Sequence, residues 1–455
     1  MYIDIAKKTV DYAMKLGASH AEAVVQAGTL QLTRYTKNEI HQNLAQKNIL
    51  MNLELAVEGN KMGSVSIKSL DMDAIKQSVE TAIKIAKISL PDHEFQHYAE
   101  PKEIKPLQGI YVKSTAEITP EEKAEGVKTV IQTAVDYHKD VKWSVGAYAT
   151  ENITYAVANN LGVEAEKKWT RGSLDVITKA NDGTGEGSGY AFKLGHDVSE
   201  FDYEKVGLSA AKDAVNAINP MVIPLGEYEA IFAPEAVTTF TGFIGRLGFS
   251  ARAYQDGYSC ITDRIGSQVF DEKLTIVDEG LNPNTYNALP FDGEGTPKQN
   301  LILINKGVAE NLCYDNYTAL KDGTESTGHS MSKAGSSYYR GTPMPVNQVI
   351  EPGDASLEEM IADTKKGVYI TRFWYFRAIR RDKAVITGLT RDACWYIEDG
   401  EIVHPMKVMR FTDSVMDVMS NIDMIGNRDT VQTFQQATIP ILKVAKLKFT
   451  GQSQF

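Results

Sequence analysis

Cysteine is scarce. Cys260, Cys313 and Cys394 are the only three in 455 residues, they lie far apart, and none belongs to a CxxC pair. That count supplies no disulfide framework, and it predicts reduced thiols in a cytoplasmic protein. No stretch approaches the roughly 18 apolar residues that a membrane span requires. The first residues, Met1 to Lys8, carry Asp4 and no uninterrupted apolar run, so no signal peptide is expected. Positive charge is in deficit: 48 Lys and Arg stand against 59 Asp and Glu, a formal net charge of −11. Such a balance disfavours nucleic acid and anionic membranes as partners. There is no GxSxG elbow and no Ser-His-Asp set, which argues against serine hydrolase chemistry. What remains is an ordinary globular composition, 43% hydrophobic and 24% charged, long enough to bury a large core in two or three domains.

Periodicity divides the chain. Ile3, Ala6, Val10, Ala13 and Met14 share one helical face, and Gly17 suits the residue after a helix end. From about 21 to 67 the period becomes two, with a hairpin turn at Glu58-Gly59-Asn60, and a helix follows from Asp71 to about Lys87. The order then repeats. Thr119-Pro120-Glu121-Glu122 opens a capped helix to about Tyr137, strands fill roughly 142 to 193, and a second helix runs from about Tyr203 to Ile218. Gly59-Asn60-Lys61-Met62-Gly63-Ser64-Val65 is echoed by Gly185-Glu186-Gly187-Ser188-Gly189-Tyr190-Ala191, so the first half reads as one helix–strands–helix unit used twice. A linker at Asn219-Pro220 and Pro224-Leu225-Gly226 leads into short alternating segments separated by Gly and Pro turns. The expected fold class is α+β: a duplicated N-terminal domain over 1–222, then a mainly antiparallel β sheet or barrel-like domain over 223–455. Few helices are expected in the second half, near 235–247, 357–365 and 412–421.

Three segments invite a chemical reading. His93-Glu94-Phe95-Gln96-His97 has the spacing of a helical zinc motif with a glutamate base. Pro91, Pro101 and Pro106 leave room for at most two helical turns there, so the segment reads as a solvated loop between the repeats. Gly183 to Gly189 is glycine-rich, but no Lys-Ser/Thr follows, and a turn between two strands is expected. Arg372-Phe373-Trp374-Tyr375-Phe376-Arg377, with Arg380 and Arg381, could grip a peptide carboxylate. The competing reading is a sheet edge with core aromatics and solvated arginines.

From about Glu227 onward the chain resembles the TldD/PmbA family, also called modulators of DNA gyrase. Phe291-Asp292-Gly293-Glu294-Gly295-Thr296-Pro297 is similar to the family's D-x-E-G-T-P turn, and Leu301 to Val308 to the strand and turn after it. Thr324 to His329, Pro343 to Asn347, Lys366 to Ile370, Tyr396 to Ile402 and Asn421 to Asn427 follow in order. The resemblance implies a metallopeptidase assembly acting on small unfolded peptides. In one branch, TldD, a His-Glu, three residues and His motif lies on a helix early in the second domain, and a Cys near the C-terminus completes a zinc site. Here the matching stretch, Pro234 to Arg246, has neither His nor Cys, and the last 60 residues have no Cys. The chain thus resembles the TldE/PmbA branch, which implies no catalytic, cofactor or metal residue on this chain and zinc on a TldD-like partner subunit. It implies a heterodimer with that partner, or a homodimer, holding an unfolded peptide. A homodimeric binding protein without proteolysis, and a peptidase using His93 and His97, are the alternatives.

Overall fold

The computed structural model describes residues 1–334, 342–427, 431–433 and 437–452. In the first half, α1 (Tyr2–Lys15) precedes three strands, β1 (His20–Thr36), β2 (Glu39–Val57) and β3 (Lys61–Ile67), and α2 (Met72–Ile88) closes the unit. After a short α3 (Lys113–Glu117), the order recurs as α4 (Pro120–Tyr137), β4 (Val141–Asn159), β5 (Glu164–Asn181), β6 (Glu186–Gly195) and α5 (Tyr203–Asn216). All six strands form one sheet in the order β3-β2-β1-β4-β5-β6, joined where β1 pairs antiparallel with β4. Each repeat thus supplies half of a symmetric sheet. Thr119 and Glu122 make the expected reciprocal cap of α4.

The glycine echo has a packing cause. A Cβ at Gly63 would lie 2.2 Å from the Ala82 carbonyl of α2, and one at Gly189 would lie 2.1 Å from the Ala210 carbonyl of α5. Both outer strands press backbone to backbone on their closing helix, which only glycine permits. The strands alternate faces. Ala21, Ala23, Val25, Leu53 and Leu55 meet α1 and α2, and Tyr148, Leu174 and Val176 lie with Val127, Val130 and Val206 of α4 and α5. The opposite face, with Val24, Tyr155, Val157 and Trp169, packs on Ala288, Phe291 and Ala334 of the second half.

In the second half, β7 (Gly226–Phe232) leads into α6 (Pro234–Leu247) and the one-turn α7 (Ala251–Gln255). One sheet contains β8 (Ile276–Glu279), β9 (Asn300–Asn305), β10 (Val308–Ala309) and, after α8 (Asn316–Asp322), β11 (Gln348–Ile350). Following α9 (Leu357–Ala362) come β12 (Lys366–Arg380), β13 (Val385–Glu398), β14 (Glu401–Pro405) and β15 (Met409–Ser414). The chain ends with α10 (Val415–Met419), β16 (Ile422–Ile425), β17 (Val431–Thr433), β18 (Ala437–Ile439) and β19 (Leu442–Gln452). Strands β12, β7, β19, β15 and β13 pair in sequence, and β13 pairs back to β12, closing a ring. Helix α6 is apolar nearly all round and lies against this barrel. Its Phe240 stacks on Phe232 at 5.1 Å, and Phe373 meets Phe411 at 4.4 Å.

Two sequence expectations are corrected. The segment at 372–381 is an edge as expected: from Arg372 to Arg380, β12 pairs with β13 alone among the described residues, and both its flanks are paired only between Gly367 and Ile370. Trp374 and Tyr375, however, are exposed rather than core. Arg372 is not solvated: it is 8% exposed, donates from Nε to Asp392 at 2.6 Å, and covers the Tyr190 ring at 3.7 Å. Arg377 and Arg380 are exposed, and Arg380 pairs with Asp382 at the surface. Replacing both by Gln is expected to change stability by less than about 0.5 kcal/mol in urea titrations. The third expected helix, near 412–421, shrinks to Val415–Met419, because Met409–Ser414 is taken up as β15.

Candidate functional site

His93 to His97 forms no helix. Glu94 pairs with Lys321 at 2.6 Å, and His97 donates from Nδ1 to the Tyr98 carbonyl at 2.8 Å. The segment is the expected loop, with His93, Glu94 and Gln96 exposed, but it is anchored rather than free. Phe95 and Tyr98 are buried, the Phe95 carbonyl accepts from Asn60, and the His97 carbonyl accepts from Asn316 at 2.6 Å. The strap ties the first repeat to α8. Its donor atoms do not converge as a zinc site requires, and α6 offers Glu235 but neither His nor Cys. Among the described residues, no three His, Cys, Asp or Glu side chains are placed to hold a metal ion.

Chemistry concentrates instead where the open face of the sheet meets the turn at 291–297. Asp292 Oδ1 accepts from the backbone N–H of Glu294 at 2.9 Å and of Thr296 at 3.0 Å, and Oδ2 accepts from Ser330 N–H at 3.0 Å. Glu294 accepts from Asn316 N–H at 2.9 Å. Tyr155 donates its hydroxyl to the Gly293 carbonyl at 2.6 Å, and Lys167 donates to the Phe291 carbonyl at 2.5 Å. The D-x-E-G-T-P turn therefore works as a clamp whose carboxylates order backbone. Gly295 has φ +83°, and a Cβ there would lie 2.5 Å from Val163. Gly295→Ala is expected to cost about 2 kcal/mol or more, read as a lowered thermal midpoint.

Beside the clamp, Lys333 is buried among Glu22 at 2.7 Å, Glu54 at 3.3 Å and Glu294 at 3.4 Å, below the Tyr98 ring. Burial alone would lower the Lys333 pKa, but the surrounding carboxylates raise it well above the ordinary value. Burial raises Glu22 to about 7 despite Lys333, with Glu294 and Glu54 adding repulsion.

Next to this group lies a cavity of about 240 Å³. Lys167, Trp169 and Arg171 enter it from alternate positions of β5, and Asn287, Lys298 and His329 from the second half. Lys167 sits in a cage of rings, 4.2 Å from Phe291, 5.1 Å from Tyr155 and 5.7 Å from Trp169. Burial pushes its pKa well down, against the pull of Asp292. His329 Nδ1 lies 2.8 Å from the Thr327 carbonyl, and its Nε2 stands 3.3 Å from Asp278 without hydrogen-bond alignment. Sequence motifs single out none of Lys167, Trp169, Arg171, Asn287 and Lys298. The spacing of Lys167, Trp169 and Arg171, cations and an indole on the inward face of a strand, is the signal that could have found them.

Comparison with known proteins accords with this architecture. The PmbA/TldA metallopeptidase C-terminal domain matches residues 225–451, and the central domain of the same family matches 113–218. A metalloprotease of Methanothermobacter thermautotrophicus is 26% identical over 296 residues, so this chain spans 62% of that relative's length, just under two thirds. Metalloprotease PmbA of Escherichia coli O157:H7 is 25% identical over 410 residues, 86% of this chain and 84% of its own. The crystal structure of TldE from Thermococcus kodakarensis superposes with a TM-score of 0.88 at 21% identity, covering 98% of this chain and all of that one. With both domain models matched in order across most of its length, the chain belongs to the PmbA/TldD family.

Proposed function

We propose that this chain is the TldE/PmbA-type subunit of a metallopeptidase assembly. It holds an unfolded small peptide while a TldD-like partner carries the zinc. The observation that carries this reading is α6: the helix early in the second half, where the family's zinc motif is expected, presents Val237, Thr238, Phe240 and Thr241 to a packed interior. The strap at 93–97 does not substitute for it. We take 1–222 and 223–455 as the two domains and place the protein in the cytoplasm, in keeping with its three free thiols.

The sheet supports peptide capture. β3 pairs with β2 only from Met51 to Val57, while β1 pairs along the rest of β2. Residues 39–50 therefore leave one backbone edge without a partner strand among the described residues, with Lys47 as their one lysine, His41 besides, and no arginine or proline. Such an edge accepts an added strand, with affinity from main-chain hydrogen bonds and little demand on sequence. On the other half, Trp374, Tyr375 and Ile379 are exposed on β12, a surface suited to subunit contact. The test is reconstitution. Mixed with a TldD-like zinc subunit, the chain should form a dimer by light scattering and cleave an unfolded peptide that neither subunit cleaves alone. Absence of a complex at micromolar concentration, or full cleavage by the partner alone, would refute the proposal.

A further inference from the structure

The cavity beside the clamp is built unlike a void left by packing. Its lining includes the apolar side chains Ile153, Leu289 and Val346. The rest of the wall is polar, and several of its donors lack acceptors. Trp169 Nε1, Arg171 Nε and Asn287 Nδ2 are buried without hydrogen-bond partners among the described residues. Arg171 spends one terminal nitrogen on Asn287 Oδ1 at 2.6 Å. Lys298 is 6% exposed, lines the same space, and makes no side-chain hydrogen bond or ion pair with the described residues. The acidic groups make no hydrogen bond to these donors, although Lys298 acts through space as a charge on Asp292 and on the neighbouring Asp278. Both oxygens of Asp292 are taken by backbone N–H groups, and Glu151 lies half-buried on the neighbouring strand. A buried ammonium and several orphaned N–H donors are costly unless an acceptor completes them.

We infer that this cavity binds a carboxylate joined to an apolar side chain, the C-terminal residue of a peptide. Lys298 and Arg171 would meet the carboxylate, and Ile153, Leu289 and Val346 the side chain. A charge-assisted pair to ammonium or guanidinium suits the polar wall. At about 240 Å³ the space falls below the roughly 300–1,000 Å³ of drug-sized pockets, a fit for a terminal residue rather than a folded segment. The carboxylate site stands on the cavity alone; the choice of a peptide as its carrier rests on the proposed function.

Calorimetric titration of the purified chain without any partner tests it, with Ala-Ala-Leu, its C-terminal amide and N-acetyl-leucine as probes. The free acid should bind, and the amide should bind about tenfold or more weakly, because it offers no charge to Lys298. Lys298→Met should weaken the acid by about tenfold with its thermal midpoint kept, and Lys298→Arg should retain binding. N-acetyl-leucine should bind at least about tenfold more weakly than the tripeptide. Equal binding of acid and amide, no binding of the acid, or unchanged binding in a folded Lys298→Met variant would overturn the carboxylate site. Equal affinity for N-acetyl-leucine and the tripeptide would overturn the peptide as its carrier. Should Lys298→Met fail to fold, acid against amide on the unaltered chain decides. No cleavage is read, so failure here leaves the peptide-processing proposal standing, and failure of reconstitution leaves this titration unaffected.

Discussion

Lys333→Met is expected to destabilise the protein by about 3–5 kcal/mol, the usual cost of removing one member of a buried ionic group. Lys333 is 7% exposed, and its ammonium is shared by Glu22, Glu54 and Glu294. The first two belong to the N-terminal sheet and the third to the D-x-E-G-T-P clamp, so the lysine joins the two halves electrostatically. Methionine keeps the stem but leaves three carboxylates facing one another in a low-dielectric space. They would recover by taking up protons, so the loss should be largest at high pH and shrink as the solution is acidified. Urea denaturation at pH 6 and pH 8.5 measures both values. Glu22→Gln in the same background should restore part of the loss, because it removes a charge that burial already disfavours. A loss under 1 kcal/mol at pH 8.5 would show that the group is solvated and holds nothing together.

Glu235→Gln is expected to act in the opposite direction. Glu235 stands in the first turn of α6, and its Oε2 has no hydrogen-bond partner among the described residues. Burial pushes its pKa from the usual 4.5 to about 8, opposed by the nearby Arg372. The native state therefore keeps a proton that the unfolded chain releases. Stability from this group is complete below pH 4.5 and is lost as pH rises from 4.5 through about 8. Each pH step of one across that window removes about 1.4 kcal/mol, so the whole loss is on the order of 4–5 kcal/mol. Glutamine mimics the protonated side chain without titrating, so the variant should be more stable than the parent at pH 8.5 and nearly equal to it at pH 5. Asp175 and Asp213, both raised to about 6 by burial, lose stability in the same sense. They are common to both proteins and cancel in the difference. A variant that gains nothing at pH 8.5 would show that the fold does not raise the pKa of Glu235.

Much of this molecule could be read from sequence where the signal is local. The apolar stripe of α1, the cap of α4, the positions of α2, α5 and α6, the hairpin at Glu58-Gly59-Asn60 and the repeat echoed at Gly63 and Gly189 all depend on neighbours within a few residues. The barrel was legible as a class, from short alternating segments, but not in its pairing. Closure depends on β12 meeting both β7 and β13, contacts more than a hundred residues apart on one side. For the same reason the sequence misjudged Arg372, whose partners Asp392 and Tyr190 come from other strands. At 93–97 the prolines rightly indicated a loop, with His93, Glu94 and Gln96 exposed, but not its anchoring, because Phe95 is buried by Ala56 and His20 of the first repeat together with Tyr317 of α8. The cavity residues were missed because Lys167, Trp169, Arg171 and Lys298 become a group only when the sheet meets the 291–297 clamp.

The central claim is that this chain is the metal-free half of its assembly, and zinc content measures it most directly. Elemental analysis of the chain purified alone, after dialysis against micromolar zinc, should give far less than one zinc per chain. The complex with a TldD-like partner should carry its zinc on the partner. About one zinc per isolated chain, lost in the His93→Ala/His97→Ala variant, would contradict the account and return the catalytic role to this subunit.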